Sequence, residues 1–434
     1  MKRNVALVGA IVLTVALAGC GTGGKSGKPS GSSAVSTELT GKPVKLKLSY
    51  ASVQPITPLA EGFTKLHPNV TFDLIETPFA DYQTSLKLAM SSNDSPDIVQ
   101  YSPAPMRAIV PAGLVLPLDD YAKAYGWRDQ VSPSLLGILT SNKDATQYGT
   151  GNLYALPGAV QMVGVFYNKA VTEAAGITDE PKSLAEFEDD LATVKAKGVT
   201  PLAVPALATG GFQLWGALSN VMADPKVFSS WVYGEPGATL LNDPGFEKAA
   251  ATVKKWADSG YMAKGVSAVA DPDAITELTS GQRGYFLSGN WNAKELSEKL
   301  GDDLGFFPLP GETADQPALA TGSGFPYSIS AKSKNKDVAA AFLNYIISEK
   351  AAQGVYDGGF IPIQPIDGDP DKVKGEFVGA YKAVVDGGGI TPFANWATSS
   401  IIDPLTAGIQ GVISGNKTPK AFIQSLQADW ESKR

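Results

Sequence analysis

Cysteine and histidine each occur once in the 434 residues of this chain. A single thiol, Cys20, can form neither an intrachain disulfide nor a cysteine zinc cluster, so stability has to come from packing. The single imidazole, His67, sits against Pro68 and reads as a helix-end turn residue, which leaves a Ser-His-Asp triad or a multi-histidine metal site without material. No Gly-x-x-x-x-Gly-Lys-Ser/Thr sequence is present to cradle a nucleotide phosphate. Lysine and arginine (36) are outnumbered by aspartate and glutamate (43), the pI is near 5.0, and no basic stripe runs through the chain, so nucleic acid is not an expected partner. Short internal repeats are missing, which argues against solenoids and propellers. No cofactor is expected. Long apolar runs are scarce too: the one at Val5 to Ala18 falls short of the roughly 20 residues that span a bilayer.

That run has a basic start, Lys2-Arg3, and closes on Leu17-Ala18-Gly19-Cys20, which makes it a secretory leader. The pattern resembles a bacterial lipoprotein signal, which implies removal of residues 1–19 and acylation of Cys20, with the new amino terminus acylated as well. Two or more acyl chains anchor a protein stably, so the expected location is the outer face of a bacterial cell membrane. Cleavage removes two basic residues and no acidic ones, shifting the net charge from −7 to −9. Residues 20–42 are dominated by Gly and Ser, with Lys25, Lys28 and Lys42, and read as a flexible tether reaching roughly 25 Å.

Beyond the tether the chain is long enough for two domains, and its patterning is α/β. Val44 to Tyr50 alternates as a half-buried strand. Thr57-Pro58 opens a helix with Leu59, Phe63 and Leu66 on one stripe, and Val70, Phe72 and Leu74 alternate in a second strand. Asp81 is the expected cap of a helix carrying Leu86 and Met90, and Asp97 to Tyr101 is a third strand. Strand, helix, strand, helix, strand implies parallel pairing with helical crossovers. The pattern resumes at Met162 to Asn168. Ser183-Leu184-Ala185-Glu186 is a capping box for a helix stopped by Gly198, Val199 to Pro205 is a candidate strand, Asp243-Pro244 opens a helix with Gly260 as its stop, and Gly284 to Ser288 is a short strand leading into Gly289-Asn290-Trp291.

In sequence, several short patterns resemble family 1 extracellular solute-binding proteins of ABC importers, the group that includes bacterial maltose-binding protein. They are Phe63 to Val70 with its His-Pro turn, Ser95-Pro96-Asp97-Ile98-Val99, Leu153-Tyr154-Ala155-Leu156-Pro157 followed by Val165 to Lys169, and Gly176-Ile177 with Pro181 to Phe187. Ser280 to Gly284 with Gly289-Asn290-Trp291, and Ser333 to Lys336 ahead of a helix to Ile347, complete the order. The resemblance implies a two-lobed type II periplasmic-binding-protein-like fold, each lobe a mixed or parallel sheet flanked by helices. Its N-terminal lobe would comprise 43–155 and 311–359, and its C-terminal lobe 156–310 and 360–434. Hinge crossings are expected near 155–161, 304–310 and after Gly359, with a ligand held in the cleft between lobes and passed to permease subunits served by a separate ATPase. Gly305-Phe306-Phe307-Pro308-Leu309-Pro310-Gly311 also suits a stiff crossing by its two prolines. A monomer is expected.

A sugar offers flat C–H faces and a rim of hydroxyls, so its site needs aromatic faces and amide or hydroxyl partners. Trp291 and Trp396 match stacking tryptophans of the sugar-binding members. Tyr101, Phe212 and Trp215 fall where the family places aromatics, and Gln161 stands where maltose binders carry a glutamate. Asn290, Asn395, Ser52 and Gln54 are polar neighbours. Ala104 replaces the aspartate that grips a glucose hydroxyl in maltose-binding protein, so the sugar itself is not specified. Two rivals stay open: a lipid-anchored glycoside hydrolase with two facing carboxylates, although no carboxylate stands out by context, and a binder of a non-sugar solute such as a polyamine. The separated Tyr154 and Tyr167 do not suggest the paired tyrosines of a ferric site.

Overall fold

Apolar residues alternating with polar ones from Val44 (Val44, Leu46, Leu48, Tyr50) make β1 (Val44–Ala51), which pairs in parallel with β2 (Val70–Thr77) over its whole length, Val44 opposite Val70 and Ala51 opposite Thr77. The short β3 (Ile98–Gln100) joins the other edge of β1, also parallel. Helices Ile56–Leu66 and Phe79–Ser91 make the crossovers, as parallel pairing demands. The structure, a computed structural model, describes residues 35–51, 56–101, 104–368 and 372–433; the expected leader, Cys20, Ser52 and Gln54 lie outside them.

β4 (Thr140–Ser141) and β5 (Asn152–Leu153) form a separate antiparallel pair. The long β6 (Leu156–Asn168) then organises the rest, followed by β7 (Leu202–Ala203), β8 (Tyr285–Gly289), β9 (Leu304–Phe307), β10 (Ala320–Ile329) and β11 (Ile390–Thr391). The first half of β6 pairs antiparallel with β10, from Leu156 opposite Tyr327 to Met162 opposite Gly322. Its second half pairs with β8, from Val163 opposite Gly289 to Tyr167 opposite Tyr285, and also with β9. β10 behaves likewise: its end pairs with β3 and its start with β11. The strand order is β2-β1-β3-β10-β6-β8-β7. β6 and β10 are thus common to two half-sheets, the arrangement of a two-lobed α/β fold, and Val160 adds a third link by bridging to Ile361.

Backbone proximity explains the residues at this junction. A Cβ on Gly324 would lie 2.1 Å from the Cβ of Pro157, so only glycine lets β10 lie this close to β6. Where β6 leaves β10 for β8, the buried Asn290 side chain takes the place of a ladder bond. Its Oδ1 accepts from Met162 N (3.0 Å) and its Nδ2 donates to Val160 O (3.1 Å).

Each half has its own aromatic interior. Phe63, Phe72, Phe342 and Tyr345 cluster in the first half. In the second, Phe166, Phe306 and Phe377 form one cluster and Trp215, Phe228, Phe246 and Phe422 another. Burying one such ring contributes about 1.5–3 kcal/mol.

The 304–310 segment, expected as a crossing, holds β9, which pairs with the second half of β6, while β10 pairs with the first half. Several other expectations are corrected. The strand expected at 199–205 shrinks to Leu202–Ala203. Pro78, with its fixed φ, occupies the cap expected of Asp81, which lies in the first turn instead. Leu66 is 46% exposed, because the helix ends there and the stripe has turned outward. The last part of the expected tether is docked: Ser36 N donates to Asp337, and Asn69 Nδ2 donates to the carbonyls of Thr40 and Lys42. From Ser36 onward the chain forms one compact unit. Among the described residues no helix is long and apolar enough to cross a membrane.

Candidate functional site

The junction of the half-sheets gathers the polar and aromatic groups of interest. Gly289 ends β8, and a Cβ there would fall 1.9 Å from the Trp291 ring, so the indole lies back against glycine backbone and stays half-buried. Phe393 is 6.2 Å from Trp291 between ring centroids, and Trp396 lies edge-on to Phe393 at 5.0 Å. The pairing of β11 with β10 delivers this second segment, since Thr391 sits opposite Thr321 just ahead of Phe393. Asn220 fixes the pairing from below by donating to Thr321 Oγ1 and accepting from Thr391 Oγ1, both at 2.8 Å.

Gln161 lies on β6 next to Met162, whose N–H Asn290 holds, and donates to Ser323 Oγ across the β6–β10 pair (2.7 Å). Asn395, between Ala394 and Trp396, carries a buried Oδ1 with no hydrogen-bond partner. A buried unpaired carbonyl oxygen costs about 1–3 kcal/mol, so it is an acceptor in want of a donor. Gln100 Oε1, at the end of β3, is the other buried amide oxygen in that condition among the described residues.

The structure therefore brings together Trp291, Trp396, Gln161, Asn290 and Asn395. It places three expected residues elsewhere. Trp215 is fully buried in helix Gly210–Met222, ringed by Phe228, Phe246 and Phe422, with Nε1 donating to Phe246 O (3.1 Å). Phe212, in the same helix, is 2% exposed. Tyr101 is buried with its hydroxyl on Ser328 Oγ (2.7 Å), and burial raises its pKa above the usual phenol value. None of the three has an open ring face, and Trp396, only 1% exposed beneath Phe393, has none either, so it cannot be the stacking tryptophan expected of it. Asn290 is at the junction, but both atoms of its amide are engaged by β6 backbone. Phe393 and Ser323 join the expected residues here: Phe393 stands two residues before Asn395 and three before Trp396, which could have pointed to it, whereas Ser323 lies in a Gly-rich stretch that shows no period.

One cation is held here. Arg107, on the short helix after β3, donates from Nε to Trp396 O (2.7 Å), from Nη1 to Ala145 O (2.8 Å) and Thr146 O (3.2 Å), and from Nη2 to Val232 O (3.0 Å). Its guanidinium lies 4.4 Å above the Tyr148 ring. Among the described residues no carboxylate pairs with it, and no three of His, Cys, Asp and Glu converge as metal ligands.

The arrangement of rings with amide acceptors can hold a neutral polar solute by stacking and hydrogen bonds. Comparison with known proteins agrees with that chemistry. The chain is 25% identical to the diacetylchitobiose-binding protein of Streptomyces coelicolor, over 100% of this chain and 99% of that protein. It is 24% identical to the galactooligosaccharide-binding protein of Bacillus subtilis, over 95% and 92%. Its fold matches a solved chitin oligosaccharide binding protein with a TM-score of 0.73 at 22% identity, covering 90% of this chain and 99% of the other. Residues 49–353 match the family described as bacterial extracellular solute-binding protein, and the chain belongs to that family.

Proposed function

We propose that the protein captures a neutral carbohydrate, a mono- or oligosaccharide, between its two halves and hands it intact to the permease of an ABC importer whose energy comes from a separate ATPase subunit. The observation that carries this reading is the Trp291–Phe393–Trp396 chain at the junction of the half-sheets, with the unpartnered Asn395 Oδ1 beside it. Trp291 supplies the stacking face, Asn395 accepts from a sugar hydroxyl, Gln161 and Ser323 form the polar floor, and Trp396 backs the site through Phe393. One stacked ring at about 0.5–1.5 kcal/mol, several hydrogen bonds at about 0.5–1.5 kcal/mol each and the apolar area covered on closure add toward the −8.2 kcal/mol of micromolar affinity. The named relatives bind chito- and galacto-oligosaccharides, which supports this solute class.

In this reading the lobes divide within β6 and β10, near Val160 and Gly324, where each strand changes partners, against the bounds at 155, 310 and 359 that the resemblance implied. Closure is a hinge motion about these two strands and the Val160–Ile361 bridge. Cys20 carries the lipid that keeps the protein at the outer face of the cell membrane, and the protein acts as a monomer. Titrating the protein with neutral oligosaccharides while following tryptophan fluorescence tests the assignment. Saturable binding that drops at least tenfold in Trp291→Ala supports it; no response to any sugar, or a response unaltered by that substitution, removes it. Release of new reducing ends during the titration would instead identify a hydrolase.

A further inference from the structure

We infer that Arg107 is a positioning residue that couples closing of the two halves to placement of the Trp396 turn, an inference that rests on the reading of the junction as the solute site. Arg107 belongs to the first half. It follows β3 directly, and its neighbours Leu114 and Leu116 are tied to β10 and its extension through Ala331 N to Leu114 O and Leu116 N to Ile329 O. Two of its acceptors belong to the second half, and both are the terminal carbonyls of helical turns. Val232 O lies in the last turn of helix Pro225–Tyr233, and Trp396 O closes the turn Ala394–Trp396.

Carbonyls in the last turn of a helix have no partner within it and carry the negative end of its dipole, so a cation is the fitting donor. Tyr233 O, next along the same helix, is also satisfied from the first half, by Tyr148 N at 2.7 Å. The Tyr148 ring in turn supports the Arg107 guanidinium. Arg107 therefore makes no ion pair among the described residues and yet joins three segments through one planar fork, holding the carbonyl of the very residue whose ring backs the proposed site. Separating the halves would strip a guanidinium and two helix-end carbonyls of their partners at once. Arginine suits this task because its fork reaches several acceptors in one plane, which a lysine ammonium cannot do.

The test compares wild type, Arg107→Ala and Arg107→Lys by stopped-flow tryptophan fluorescence with the best-binding oligosaccharide, and by small-angle X-ray scattering with and without it. Arg107→Ala should release the sugar at least tenfold faster while the association rate changes less than threefold. Its radius of gyration should exceed that of wild type in the absence of sugar. Arg107→Lys should fall between the two, and it decides the matter if the alanine variant does not fold. A lowered unfolding midpoint with dissociation within twofold of wild type would make Arg107 a structural residue only and overturn the inference. If wild type bound no carbohydrate, the functional reading would fail separately, and the sugar-free scattering comparison would still decide: equal radii overturn the coupling, a larger radius in the variant sustains the latch.

Discussion

Replacing Asn290 with alanine tests the junction most sharply, because the two polar atoms of its side chain pair with β6 backbone groups at the point where the strand changes partners. Met162 is the last residue of β6 opposite β10 and Val163 the first opposite β8, so the strand changes partners there. The Asn290 amide fills the gap, with Met162 N donating to it at 3.0 Å and Val160 O accepting from it at 3.1 Å, in a residue only 1% exposed. Truncation strands one buried N–H and weakens the pairing of one buried carbonyl. At about 1–3 kcal/mol for each group left unsatisfied, the loss is about 2–5 kcal/mol, nearer the lower end if water enters the space. Asn290→Asp keeps the acceptor but sets a carboxylate against the Val160 carbonyl, so it should be no milder. Urea unfolding followed by tryptophan fluorescence reads the change as a lowered midpoint. A midpoint within about 0.5 kcal/mol of wild type, combined with weakened sugar binding, would refute the clamp and return Asn290 to the solute.

Other outcomes follow from the same structure. Trp291→Ala, at a half-buried ring, should weaken sugar affinity about tenfold or more, roughly 1.4 kcal/mol, while moving the unfolding midpoint little; calorimetry and urea titration separate the two. Gly324→Val should destabilise by about 1–3 kcal/mol, because its side chain would meet Pro157. Burial pushes the Asp190 carboxyl up to about 6, with Asp189 and Glu186 adding to the rise and the Tyr285 hydroxyl opposing it. The folded state then keeps a proton that the unfolded chain, with a carboxylate pKa near ~4, has lost, so this group's contribution to stability falls as pH rises from about 4 to 6. Asp190→Asn should flatten that decline and gain about 1 kcal/mol at pH 7, a figure already discounted for partial solvent screening; unfolding midpoints across pH 4–7 measure it. Cys20→Ser should move the protein from the membrane fraction to the medium.

Local chemistry was readable where a residue acts on its immediate neighbours. The capping box at Ser183 forms by half: Glu186 N donates to Ser183 Oγ (3.2 Å), but the Glu186 carboxylate accepts from Lys182 N in place of the cap's own amide. Gly198 and Gly260 take the positive φ expected of helix stops. β1, β2, and Leu86 and Met90 of the following helix are also where alternation and helical spacing put them. What the sequence hid depends on distant partners. β10 reads Ala-Thr-Gly-Ser-Gly-Phe-Pro-Tyr-Ser-Ile, buried throughout, and its glycines answer to the close approach of β6 and not to any period of their own. Trp215 and Trp396 look alike as isolated tryptophans in sequence; only the Phe228, Phe246 and Phe422 cage around one, and the Arg107 contact to the other, tell them apart. Arg107 itself carries no motif, since its acceptors are main-chain carbonyls that any sequence could supply.

The central claim is that a neutral sugar is gripped at the junction and leaves it unchanged. Isothermal calorimetry of the wild-type protein against neutral mono- and oligosaccharides, N-acetylated and galactose-containing ones among them, with chromatography of the recovered sugar, tests it directly. The account predicts at least one ligand bound one-to-one at micromolar or tighter affinity and recovered intact; no binding by any member of the panel, or recovery of cleaved products, would contradict it.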